Sequence, residues 1–84
     1  MSSPSYEDIY EDGVLIKQIG DEWVAAVGTA KRGYIVRENS EPAFWAALSA
    51  WADQEGYWPG IYEVNDHGNI TQYDYQGNAV GSWV

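Results

Sequence analysis

The chain is 84 residues long, with 13 Asp and Glu against 4 Lys and Arg, a net charge of −9, one His and no Cys. One domain of this size buries roughly 60–65% of its unfolded surface, and without cysteine it has neither a disulfide framework nor a thiolate metal site. The acidic balance repels nucleic acid and anionic lipid and steers toward basic proteins.

Residues 1–12 hold a short repeat, Tyr6-Glu7-Asp8 and Tyr10-Glu11-Asp12. Ser3 and Pro4 are able to open a brief helix there, but it would stack Glu7 over Glu11 and Asp8 over Asp12, which is mildly unfavourable. The stretch is therefore read as a flexible acidic arm preceding one α+β domain over 13–84. No run of about 18 apolar residues and no basic-then-apolar start occurs. Neither a transmembrane helix nor a signal peptide is expected, and the expected location is the cytoplasm (the host's, if a phage encodes the protein).

From Gly13 the pattern alternates with a period of two. Residues 14–19 and 23–27 flank Gly20-Asp21-Glu22, where Gly20 supplies the positive φ of a tight turn. Residues 28–33, GTAKRG, read as a loop carrying Lys31 and Arg32. It lacks the phosphate-loop pattern, and no helix follows at once to offer its amides. Residues 34–37 form a third strand.

The only long helical period lies between Ser40 and Gly56. Ser40 is the N-cap, Glu41 sits at the positive end of the dipole and Pro42 falls in the first turn. Phe44, Leu48, Trp51 and Glu55 share one face, with Trp45 and Ala52 on its flank. Gly56 stops the helix in the left-handed conformation, and Pro59 prevents its resuming. A second stripe, Ala43, Ala46, Ala47 and Ala50, is either plain helix-forming surface or a smooth seat for a sheet, a second protomer or a partner.

Three further strands follow at residues 61–64, 70–73 and 79–84. The links Asn65–Asn69 and Asp74–Asn78 each have a polar start and a Gly-Asn close, the chemistry of a short hairpin loop. The expected architecture is a small α+β domain, β-β-β-α-β-β-β, in which an antiparallel sheet of about six short strands packs on one helix. Trp23, Tyr34, Phe44, Leu48, Trp51, Tyr62, Val64 and Ile70 are the expected core. With 5 Trp, 7 Tyr and 1 Phe, some aromatics must remain at the surface, where Tyr and Trp are enriched at binding hot spots.

Catalysis finds little support. The single histidine, His67, falls in a hairpin loop, and no second residue type supplies a nucleophile–base pair. Residues 65–69 lack the ligand series of a calcium loop. An enzyme is not expected, nor is a metal or cofactor. Direct nucleic-acid binding has the stacking residues without the positive groove.

All four bases lie between Lys17 and Arg37, so acids dominate both ends of the chain. The expectation is a protein-binding module, an inhibitor whose carboxylates occupy a basic, nucleic-acid-binding site on its partner. Small phage-encoded inhibitors such as anti-CRISPR proteins, and immunity proteins that neutralise nucleases, use the same size and charge; no motif extends that analogy. The expected contact residues are Glu7, Asp8, Tyr10, Glu11, Asp12, Glu63, Asp66, Tyr73, Asp74 and Tyr75. The alternative is an assembly protein forming a homo-oligomer, a homodimer in the simplest case, through the alanine stripe and spare aromatics.

Overall fold

A computed structural model describes residues 6–28 and 34–83, with the side chains of Tyr6, Asp8 and Tyr10 outside the description. In chain order the elements are α1 (Tyr6–Glu11), β1 (Val14–Ile19), β2 (Glu22–Val27), β3 (Tyr34–Glu38), α2 (Glu41–Glu55), β4 (Ile61–Val64), β5 (Ile70–Tyr73) and β6 (Ala79–Trp83). The β-β-β-α-β-β-β order and the α+β class follow the expectation.

The six strands form one sheet in the order β3-β2-β1-β4-β5-β6. Each half is an antiparallel meander, and the halves join through a short parallel pairing of β1 with β4, Val14↔Ile61 and Leu15↔Tyr62. That parallel seam departs from a purely antiparallel sheet, and its cause is α2. A parallel connection needs a crossover of a dozen or more residues, and β3-α2-β4 provides it. Backbone bonds lock the seam and fix its polarity. The Val14 amide donates to the Gly60 carbonyl at 2.8 Å, while the Gly28 amide donates to Gly13 on the β2 side at 2.9 Å.

Helix α2 begins and ends as its sequence requires. Ser40 Oγ accepts from the Ala43 amide at 3.4 Å, and Gly56 closes the helix at φ 68° with its own amide turned back to Ala52 and Asp53. The buried residues are Phe44, Trp45, Leu48 and Ala52. The apolar face is thus rotated from the expected stripe: Leu48 and Ala52 lie at its centre with Phe44 and Trp45 on its edges, while Trp51 is half-buried and Glu55 exposed.

Val14, Ile16, Ala25, Val36 and Ile61 meet this face from the sheet. Four rings run across the interface, with centroid separations of 5.6 Å for Trp23–Phe44, 4.9 Å for Phe44–Trp45 and 5.8 Å for Trp45–Tyr73. Such tilted and edge-on pairs add to the area they bury.

Tyr34 departs from the expected core. It lies 58% exposed at the start of edge strand β3, and the Arg37 guanidinium sits 4.6 Å from its ring centroid. Trp23, Trp51, Tyr62 and Val64 are half-buried, and Ile70 is buried. Over Tyr6–Glu11, inside the stretch read as a flexible arm, the chain forms a short helix whose Ile9 is fully buried. Gly13 permits this seat, because a β-carbon there would lie 2.9 Å from the Ile9 backbone. Among the described residues, no helix is long and apolar enough to cross a membrane.

Candidate functional site

The two polar links of the second meander fold as near copies. In the first, Oδ1 of Asn65 accepts from the amides of His67 and Asn69, both at 2.9 Å. In the second, Oδ1 of Asp74 accepts from Gln76 and Asn78 at the same distance, and Asn78 Nδ2 donates to Oδ2 at 3.3 Å. Gly68 and Gly77 supply the positive φ, 81° and 91°. His67 serves the first turn through its backbone amide, and its side chain is exposed. The amide of Asn78, with those of Gln76 and Gly77, holds the Asp74 carboxyl below the ordinary aspartate range.

These loops stand at opposite ends of β5, so the expected contact residues divide into two groups. Glu63 and Asp66 belong to the end where β1 and β4 finish. Asp74 and Tyr75 belong to the end where those strands begin. Glu7, Glu11 and Asp12, all exposed, share that second end, because the Val14–Gly60 bond sets Gly13 beside Gly60. Asp8 and Tyr10 lie in α1, and nothing of their side chains is described.

Two of the expected anchors are committed to the fold. Tyr73 packs on Trp45 and donates to Oε1 of Glu63 at 3.1 Å. Burial, then the Glu63 carboxylate, raises its phenol above the usual tyrosine value. Tyr75 donates to the Pro59 carbonyl at 2.7 Å and meets Trp58 edge-on at 4.5 Å. Burial, with a smaller contribution from Tyr57, pushes its phenol up to about 12.

Tyr75 in turn braces Trp58, which is 49% exposed, next to Tyr57 at 51%. Trp58 so braced, with Tyr57 beside it, is an aromatic projection outside the ten expected inhibitor contacts. The sequence carries its signal in the run Tyr57-Trp58-Pro59-Gly60, where proline fixes the backbone next to two large rings.

Among the described residues, one ion pair forms, Arg37–Glu22 at 2.8 Å, and no charged side chain is buried. The other described acids are exposed or half-buried. No group of three His, Asp or Glu is placed to hold a metal among those residues. Lys31 and Arg32 lie outside the described residues. Of the alanine stripe, Ala43, Ala46 and Ala50 are exposed and Ala47 is half-buried. Ala47 and Ala50 flank a groove of about 380 Å³ with Ile35, Trp51 and Gln54.

Set against models of known protein families, curated proteins and solved structures, the chain gives no match.

Proposed function

We propose that this protein is an acidic protein-binding module, an inhibitor that occupies a basic, nucleic-acid-binding site on its partner. The observation supporting the reading is the end of the molecule where Tyr57 and Trp58 project beside Glu7, Glu11, Asp12 and Asp74. A braced ring such as Trp58 loses little conformational freedom on binding, and carboxylates at the same end select a basic partner and speed its approach. A nucleic-acid-binding site supplies both a positive field and flat surfaces suited to rings.

The experiment is affinity capture from host lysate with the tagged protein, at low and high salt and with DNA as competitor. The expected catch is a basic nucleic-acid-binding protein released by either treatment. Against that purified partner, a Glu7→Lys, Glu11→Lys, Asp12→Lys variant should bind at least tenfold more weakly. Equal binding by the parent and this variant would defeat the reading.

The second reading, homo-oligomeric assembly, draws on the exposed alanines and the Ile35–Trp51 groove. It predicts a salt-resistant dimer on sizing and capture of the chain by itself.

A further inference from the structure

The seam between β1 and β4 closes at one end only. Pairing stops at Leu15↔Tyr62, yet β1 continues to Ile19 and β4 to Val64. The two carboxyl ends part around an open crevice of about 490 Å³, whose walls include Ile16, Lys17 and Gln18 on one side and Glu63, Val64 and Asp66 on the other. From this point β1 turns away into β2 and β4 turns the opposite way into β5. Diverging connections at the carboxyl ends of neighbouring parallel strands are where open sheets with helices form ligand crevices.

Backbone direction alternates along a strand, and two bonds set its phase. The Val14 amide points at β4, so those of Ile16 and Gln18 do as well. The Asn65 amide points at β5, toward Asn69, so Val64 turns its own N–H and C=O toward β1. Where the ladder has ended, the N–H and C=O of Gln18 and of Val64 therefore face each other across the crevice with no strand between them. A polypeptide backbone is the ligand that matches donors and acceptors on both walls at strand spacing.

Charge selects what the peptide carries. Glu63 and Asp66 stand against Lys17 alone, and Tyr73 engages only Oε1 of Glu63. We propose that the crevice binds an extended peptide segment as a short inserted strand, with a lysine or arginine of that segment set between Glu63 and Asp66. This site lies at the opposite end of the sheet from Tyr57 and Trp58, and it stands or falls independently of the inhibitor reading.

The test is an amide-shift titration of the full chain with the blocked peptide acetyl-Ala-Val-Lys-Val-Ala-amide, and with a copy carrying Glu for Lys. Saturable shifts at Ile16–Ile19 and Glu63–Asp66 are expected at or below millimolar peptide, with about tenfold weaker binding of the Glu peptide. Gln18→Pro removes the β1 donor turned into the crevice while sparing the ladder to β2, as proline on an open edge does. It should weaken the Lys peptide about tenfold. Glu63→Gln with Asp66→Asn keeps the polar shapes and should abolish the preference for Lys. Absence of saturable shifts, shifts confined to the Tyr57–Trp58 end, or a preference that survives the double variant would overturn the proposal.

Discussion

Gly77 holds φ at +91°, and a β-carbon there would lie 2.8 Å from Nε1 of the buried Trp45. Gly20 also has positive φ, +62°, but open space surrounds it. Gly20→Ala should therefore cost about 1–2 kcal/mol, the left-handed penalty alone. Gly77→Ala adds displacement of a core ring, for a total of about 2–5 kcal/mol. Denaturant unfolding of the two variants checks the difference, and equal costs would mean that Trp45 yields freely. Tyr75 gives a second prediction, on pH. Its phenol rises from 10.0 to about 12 on folding, so it stays protonated in the folded protein at a pH that ionises it in the unfolded chain. Its contribution is fully present below pH 10 and is lost as pH rises through about 12, because the folded state binds the proton more tightly. Tyr73 shifts the same way. Phenolate absorbance during alkaline titration should show two late tyrosines, and Tyr75→Phe should remove one of them. Titration of all seven tyrosines as a single class would defeat this account.

At the scale of elements, α1 is anchored, among its described side chains, by Ile9. Six residues are too few to hold a helix by propensity, so its position rests on Ile9, which is 0% exposed. Ile9→Ala should cost about 2–4 kcal/mol and release the α1 amides to fast exchange. A loss below about 0.5 kcal/mol, typical of a surface change, would show that the arm does not need its anchor. The physics of legibility differs from element to element. Helix α2 was readable to its caps because Ser40, Pro42 and Gly56 act locally, and the strands were readable from alternation and Gly-Asn turns. The burial of Ile9 was not, because the acids stacked at i, i+4 weigh locally against the brief helix that would align it with Tyr6 and Tyr10. The β1–β4 seam was invisible too, since adjacency of strands far apart in sequence leaves no local trace. That seam decides the candidate sites. It sets Glu7, Glu11 and Asp12 at the same end as Asp74 and away from Asp66, and it opens the crevice beside Gln18 and Val64. The part-buried hydroxyl bonds of Tyr73 and Tyr75 were not legible either, because alternation does not reveal which tyrosine hydroxyls find partners.

For the whole molecule the governing quantity is net charge. The chain carries −9, and among its described residues one carboxylate is paired with a base, Glu22 with Arg37, at the surface. Repulsion among unpaired carboxylates destabilises the compact state. Sodium chloride should therefore stabilise the free protein as the Debye length falls from about 30 Å at about 0.01 M to about 8 Å at about 0.15 M. Relief of about 1 kcal/mol would raise the midpoint by roughly 4–8 °C for a chain of this size. Chloride is the suitable salt, because sulfate strengthens apolar burial by its own exclusion and would raise the midpoint regardless. The same screening should weaken capture of a basic partner, so stability and binding must move in opposite directions along one salt series. Neutralising Glu7, Glu11 and Asp12 to Gln, Gln and Asn should flatten both responses together, since the same three carboxylates enter each. Binding that flattens while the stability response persists would confine those carboxylates to the interface. A midpoint indifferent to salt in the parent would mean the acids are spaced widely enough for water to screen them, and the cost of the excess charge would then have to be sought in the bound state.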